Sequence, residues 1–183
     1  VFTCFNDNKK ITPKEFNIWM NLLHEIKDGI LWLSKSNNLS EINLKEEAQK
    51  RNIDPDRIIF AKRLKKKDQH MSRYVVSDLG LDTFNYNGHT TTSDALWTGL
   101  PVLTKTGNSF ASRVASSILN SLDLHYLITT TDKEYEEKAL YLANNRDEIL
   151  KLKRKLKITK DENLLKSENY VKELENLYLR IIK

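Results

Sequence analysis

The sequence predicts an α/β fold: a Rossmann-like, doubly wound, mostly parallel sheet of about six strands, closed by helices at the C-terminal end. Three observations predict it. Short apolar runs alternate with segments of helical periodicity, in the order β-α-β-α-β-α-β-α-β-α-β followed by helices. Short apolar strands alternating with helices make a mostly parallel sheet covered on both faces, with right-handed crossovers. Three loops that hold polar or basic residues, 6–10, 62–67 and 84–91, fall at the carboxyl ends of strands, where such sheets bind ligands.

Taken in order, Val1-Phe2-Thr3-Cys4-Phe5 reads as the first strand and 6–10 as a loop. Thr12-Pro13-Lys14-Glu15 opens a helix, with Thr12 as cap, Pro13 at the first position and Glu15 at the capping-box position. Phe16, Trp19, Met20, Leu23 and Ile26 recur at helical spacing until Asp28-Gly29 stops them. Ile30-Leu31-Trp32-Leu33 is the second strand. A short helix is expected over 43–51, then a turn at Asp54-Pro55-Asp56 and a third strand at Arg57-Ile58-Ile59-Phe60. After the basic loop 62–67, a helix is expected over 68–76 and a fourth strand at Asp78-Leu79-Gly80-Leu81-Asp82. Val102-Leu103-Thr104 is the fifth strand, 110–119 a helix, and Tyr126-Leu127-Ile128 a short sixth strand. From Asp132 the chain turns helical, through Tyr135, Ala139, Leu142, Ile149, Leu152 and Leu156. The basic end of that stretch is 151–160. A last helix over 167–183 carries Tyr170, Leu174, Leu177, Tyr178 and Ile181 on one face.

Composition bounds the function. The length of 183 residues with 39% hydrophobic content supports about one domain with a core. We divide it into a Rossmann-like lobe over 1–160 and a C-terminal helix over 161–183, packing on that lobe or reaching a further one. One cysteine, Cys4, excludes an internal disulfide and a zinc cluster and suits a reducing, cytoplasmic setting. No apolar run approaches the ~18 residues that span a bilayer. The chain opens in mid-strand without methionine, so a fragment of a longer protein is expected. The net charge of +5 favours anionic ligands only modestly, because much of the lysine shares helices with glutamate. The basic stretch 151–160 lacks interleaved aromatics, which argues against nucleic acid. No Gly-x-Gly-x-x-Gly follows the first strand and no Walker A pattern occurs, which argues against a dinucleotide cofactor and an ATPase.

The chemistry centres on Asn85-Tyr86-Asn87-Gly88-His89-Thr90-Thr91-Thr92-Ser93-Asp94-Ala95-Leu96-Trp97-Thr98-Gly99-Leu100-Pro101. Asn87-Gly88 is a turn signal. Thr90 to Thr92 can cap a helix, Ala95-Leu96-Trp97 is its apolar stripe, and Gly99 and Pro101 end it. The first turn of such a helix presents unpaired N–H groups and the positive end of the peptide dipoles, which attract an anion. One cap needs one hydroxyl; three lie here beside His89. Lys10, in the loop after the first strand, either reaches a phosphate as a point charge or is a surface lysine. Lys67, His70 and Arg73 share a helical face that could meet a base, a ribose and a phosphate, or simply solvent. Asp94 either accepts from a ligand hydroxyl or complements the helix dipole. Arg113, after Gly107-Asn108-Ser109, is a second anion-friendly position or a surface arginine on a capped helix. His89 has no histidine or cysteine at ligand spacing, so no metal site is expected. His24 and His125 read as structural, and Trp19, Trp32 and Trp97 as core.

The stretch Asn87-Gly88-His89-Thr90-Thr91-Thr92-Ser93-Asp94-Ala95-Leu96-Trp97, with Phe110-Ala111-Ser112-Arg113-Val114-Ala115 downstream, resembles the C-terminal catalytic lobe of the O-linked N-acetylglucosamine transferase (SPINDLY-like) family. The resemblance covers nearly the whole chain, and the Thr-Thr-Thr-Ser-Asp-Ala-Leu-Trp version is similar to bacterial members with tetratricopeptide repeats. It implies the second lobe of a GT-B glycosyltransferase, inverting and metal-independent. Such an enzyme moves a sugar from UDP-GlcNAc to Ser or Thr of an acceptor protein, with no cofactor besides the UDP-sugar donor. It also implies an N-terminal catalytic lobe and tetratricopeptide repeats elsewhere in the full-length chain. By the same resemblance Lys10 is the catalytic lysine on the pyrophosphate, and His89, Thr90 and Thr91 meet the phosphates. Asp94 and Lys67 take the ribose, His70 and Arg73 surround uracil, and the Lys65 backbone meets uracil. Two positions depart from the family: Asp7 replaces a glutamine near the phosphates, and Lys65 replaces a small residue. Two alternatives stay open, another donor such as a fucosyl or glucosyl nucleotide, and a non-catalytic nucleotide-binding or interaction domain.

Overall fold

The structure, a computed structural model, describes residues 1–162 and 167–182, with side-chain surroundings for 1–158 and 170–182. Six strands form one parallel sheet: β1 (Phe2–Cys4), β2 (Leu31–Ser34), β3 (Ile58–Ala61), β4 (Leu79–Leu81), β5 (Val102–Lys105) and β6 (Ile128–Thr129). Their order is β3-β2-β1-β4-β5-β6, every neighbouring pair parallel. This is the doubly wound order, and its direction reverses between β1 and β4. Every residue of β1 and of β4 is buried, as central strands covered on both faces require. The edge strand β3 leaves Ile59 exposed.

Helices α1 (Pro13–Glu25), α2 (Asn38–Lys50), α3 (Lys67–Val75), α4 (Thr90–Trp97), α5 (Val114–Ser121), α6 (Asp132–Asn144) and α7 (Arg146–Glu162) connect and cover the strands, and α8 (Ser167–Ile181) closes the chain. α1 packs against α6, α3 against α4, and α4 against α7. Six apolar side chains of α1, from Phe16 to Leu23, are buried. At roughly 1.5–3 kcal/mol for each large apolar side chain taken from water, such a helix owes its stability to packing rather than propensity.

Four details differ from the sequence expectation, each for a local reason. α2 starts at Asn38 rather than at 43, because Asn37 and Ser40 cap each other reciprocally in a polar segment without helical apolar spacing. The helix expected over 110–119 is split: a 3-10 turn at Phe110–Ser112, capped by Ser109, precedes α5. Tyr126 and Leu127 lie in a 3-10 turn, and the sixth strand is Ile128–Thr129; the chain has just turned through Asp123 at φ +53°. Trp97 is 41% exposed rather than core, because α4 ends at its position and turns away through Gly99. Gly99 takes φ +88°, and Leu100 N–H reaches back to the Ala95 carbonyl at 2.9 Å, a closure that favours glycine.

His24 and Trp19 match the structural reading: His24 Nε2 lies 2.7 Å from the Arg51 carbonyl, and Trp19 is fully buried. On α8, Tyr170, Leu177, Tyr178 and Ile181 are exposed and Leu174 is half-buried; Lys183 lies outside the described residues. No described helix is long and apolar enough to cross a membrane.

Candidate functional site

The carboxyl ends of β1 and β4, at the switch point, build the site. β1 runs into Phe5 and Asn6, then a 3-10 turn at Asn8–Lys10 whose Lys9 N–H donates to the Asp7 carboxylate at 3.0 Å. β4 runs into Asp82, and the chain from 82 to 89 loops back to start α4. A buried polar hub joins the two. Asp82 Oδ1 accepts from Gly88 N–H (2.7 Å), Thr83 N–H (2.9 Å) and the Asn6 amide (3.0 Å). Its Oδ2 accepts from Thr104 Oγ1 on β5 at 2.7 Å. Asn6 also donates to Thr83 Oγ1 at 2.9 Å and accepts from the Thr91 hydroxyl. Asn87 donates to the Thr83 carbonyl at 2.8 Å, and Asn87 N–H to the Ala111 carbonyl at 2.9 Å.

This hub aims the start of α4. No side chain caps the helix: His89 holds the cap position at φ −101°, ψ −85°, and Ser93 N–H is the first amide to pair back to it, at 3.0 Å. The threonine expectation is therefore corrected in part. The Thr91 hydroxyl binds Asn6, Thr92 is buried, and Thr90 is exposed at the first turn. Gly88 is demanded by close approach. A Cβ there would lie 2.5 Å from Thr92 Oγ1, 2.6 Å from Thr91 Oγ1 and 2.8 Å from Asn6 Oδ1.

Lys10 joins the same place. Its Nζ donates to the Asn87 carbonyl at 3.0 Å and lies 3.9 Å from the Tyr86 ring centroid. Partial burial lowers its pKa, while the carboxylates of Asp82 and Asp7 pull it back up. An ammonium short of water beside an uncapped helix start is what a phosphate oxygen would satisfy. His89 stacks on Tyr86 at 4.9 Å and 24°, and its Nε2 lies 3.4 Å from the Ala111 carbonyl.

Four of the other expected residues line a second part of the site. An open cleft of about 880 Å³ has Lys65, Lys67, His70, Arg73 and Asp7 in its wall, with Lys62, Arg63 and Lys66 beside them. His70 packs against Phe5 (5.8 Å) and Tyr74 (5.5 Å); burial, then the charge of Arg73, holds its imidazole below the usual range, so the ring is neutral near pH 7. Arg73 donates to the Lys62 carbonyl. Lys67 Nζ lies 3.8 Å from Asp94 Oδ1, which ties this cleft to α4 one turn beyond its start. The residues singled out from the sequence thus fall into two neighbouring groups: Lys10, His89, Thr90 and Thr91 at the helix start, and Lys65, Lys67, His70 and Arg73 in the cleft beside α3, with Asp94 joined to the second through Lys67. Arg113 stands apart from both, donating to the Asn108 carbonyl at 2.9 Å. Sequence reasoning missed Asn6 and Asp82, the hub itself. Polar residues closing two buried strands were the available signal.

Fold and site together define a Rossmann-like lobe with an uncapped helix start at its switch point. The chain belongs to glycosyl transferase family 41, whose model matches residues 1–174. It is 35% identical over 183 residues to a probable UDP-N-acetylglucosamine–peptide N-acetylglucosaminyltransferase, SEC, of Arabidopsis thaliana, which covers 99% of this chain and 19% of that protein. It is 34% identical over 178 residues to the UDP-N-acetylglucosamine–peptide N-acetylglucosaminyltransferase of Caenorhabditis elegans, covering 97% of this chain and 15% of that protein. The solved structure of a mutant O-GlcNAc transferase from Thermobaculum terrenum superposes with a TM-score of 0.91 at 28% identity, over 98% of this chain and 35% of that one. The chain therefore spans less than a fifth of these curated relatives and about a third of the solved one.

Two outcomes test the hub. Burial pushes the Asp82 carboxyl up to about 6 from 3.8, against the four hydrogen bonds that favour its charge. A carboxyl raised in the folded state contributes stability that is complete below its unfolded value and lost as pH rises through its folded value. Asp82→Asn keeps the Oδ1 acceptor and removes the ionisation. Chemical unfolding of both proteins should show native stability falling relative to the variant by about 1.4 kcal/mol per pH unit between about pH 4 and pH 6, then levelling; parallel profiles would contradict the assignment. Gly88→Ala should lower stability by about 1–3 kcal/mol through overpacking, and an unchanged urea midpoint would show that the loop has room.

Proposed function

We propose that this chain is the donor-binding lobe of a protein O-GlcNAc transferase, an inverting glycosyltransferase that moves N-acetylglucosamine from UDP-GlcNAc to a Ser or Thr hydroxyl. The observation that carries this reading is the convergence of Lys10 Nζ, through its 3.0 Å bond to the Asn87 carbonyl, with the uncapped start of α4. The names of the two curated relatives and the solved transferase support the donor and the acceptor class.

In this reading the diphosphate lies at the helix start, with Thr90 and the first-turn amides on its oxygens and Lys10 and His89 beside it. The ribose sits by Lys67 and Asp94, and uracil enters between His70, Arg73 and the Lys65 backbone. A neutral imidazole packed on Phe5 and Tyr74 suits a flat uncharged base. As the acceptor hydroxyl attacks the anomeric carbon from the face opposite UDP and gives up its proton to a base, the C–O bond to the β-phosphate breaks, and negative charge grows on the oxygen that leaves with UDP. Lys10 and the helix dipole are already placed for that charge, so this lobe needs no metal to stabilise it. Asp7, despite its charge, serves as the cap of the Asn8–Lys10 turn and favours the ammonium form of Lys10.

The C-terminal helix expected over 161–183 would pack on this lobe or reach a further one; its described part is the end of α7 and α8, and residues 163–166 and 183 lie outside the described residues. Its exposed Tyr170, Leu177, Tyr178 and Ile181 suit contact with the N-terminal catalytic lobe, beyond which tetratricopeptide repeats would hold the acceptor protein. The buried lone thiol of Cys4 suits the cytoplasm.

Calorimetric titration of the 183-residue chain with UDP tests the site. Lys10→Ala should weaken binding roughly ten- to a hundredfold, the range of a lost hydrogen bond to a charged partner. Thr90→Val should weaken it about three- to tenfold. No binding by the native chain, or unchanged affinity in both variants, would reject the reading.

A further inference from the structure

Tyr86 belongs to the loop that the polar hub holds, and its carbonyl accepts from Thr83 Oγ1 at 2.6 Å. The residue is nonetheless 45% exposed. Its ring touches two groups at once. Lys10 Nζ lies 3.9 Å from its centroid, and the His89 imidazole stacks on it at 4.9 Å and 24°. Lys10 comes from the end of β1 and His89 from the start of α4, so one side chain spans both halves of the switch point.

We infer that Tyr86 is a positioning residue for donor binding: its ring holds the Lys10 ammonium and the His89 imidazole in register at the α4 start, where a nucleotide diphosphate would lie. The inference rests on the donor-lobe reading above. Its physical reason is the problem a lysine poses in such a site. The side chain is long and flexible, and partial burial strips water from the ammonium. A carboxylate partner would fix it but would compete with the phosphate, as Asp94 can for Lys67. An aromatic face attracts the cation through its quadrupole without neutralising it. The Asn87 carbonyl fixes one N–H direction, the ring fixes the approach, and the remaining ammonium protons stay available to phosphate oxygens. The same ring sets the plane of His89, whose outer neighbour Phe110 meets it edge-on at 6.3 Å.

The test uses Tyr86→Phe, Tyr86→Leu, Lys10→Ala and the Tyr86→Leu/Lys10→Ala double variant. UDP binding is measured by calorimetry, uridine binding by NMR titration, and folding by thermal unfolding. Tyr86→Phe keeps the ring and should bind UDP within about twofold of the native chain. Tyr86→Leu fills similar space without a π face and should bind UDP about five- to tenfold more weakly. Uridine, which lacks the diphosphate, should bind all four variants like the native chain. In the Lys10→Ala background the Leu substitution should cost less than it does in the native chain, because one of the ring's two partners is gone and only His89 remains. Native-like UDP affinity in Tyr86→Leu, while Lys10→Ala is weakened, would overturn the role of Tyr86 alone. Equal losses for UDP and uridine in Tyr86→Leu, or a Phe variant as weak as the Leu variant, would overturn it too. Native-like UDP affinity in Lys10→Ala would instead overturn the donor-lobe reading beneath it.

Discussion

The buried carboxylate of Asp82 is the constraint on which the site depends. It sits buried at the end of a central strand and accepts four hydrogen bonds, from the backbone of its own loop, from Asn6 after β1 and from Thr104 on β5. Burying a charge is expensive unless every lone pair is met. Here the donors are the atoms whose positions matter: Gly88 N–H fixes the approach to α4, and Asn6, held on one side by Asp82, receives the Thr91 hydroxyl on the other. Remove the carboxylate and the Gly88 amide, the Asn6 amide and the Thr104 hydroxyl are left without that acceptor.

From that hub the rest follows in order. The parallel sheet brings β1 and β4 side by side at the reversal of strand order, so the loop that carries Lys10 and the loop that starts α4 meet by topology. The hub then sets their spacing, Gly88 lets the loop pack flat against Thr91 and Thr92, and Lys10 lands on the Asn87 carbonyl. The α3 cleft is held to this centre more loosely, by the 3.8 Å pair of Lys67 with Asp94 and by the packing of His70 on Phe5. An uncapped helix start beside a basic cleft suits a ligand whose charge is concentrated at one end.

Much of this was legible in the sequence, for physical reasons. Strands such as Leu31–Ser34 and Val102–Lys105 are short apolar runs between breakers, and α1 announces itself by Pro13 and a helical apolar stripe. The helix start at Thr90 was legible because Asn87-Gly88 and Gly99 bracket it. What escaped were features set by tertiary contact. The early start of α2 depends on two polar residues capping each other, which leaves no apolar period to read. Trp97 reads as core by type, yet the chain turns at that point and leaves it half-uncovered. The hub escaped because Asn6 and Asp82 are 76 residues apart, and neither belongs to a local pattern. The use of the Thr91 hydroxyl on Asn6, rather than as a cap, could not be seen without that partner.

The central claim is that the amides at the start of α4 face the donor's phosphates. The most direct measurement is a 1H–15N correlation spectrum of the 183-residue chain titrated with UDP. We predict that the largest shifts fall on the backbone amides of Thr90, Thr91 and Thr92, moving to lower field as they gain a charged acceptor, with smaller shifts around His70. Shifts concentrated instead at the amino ends of the strands, around Gly29 and Asp78, with the Thr90–Thr92 amides unmoved, would contradict it.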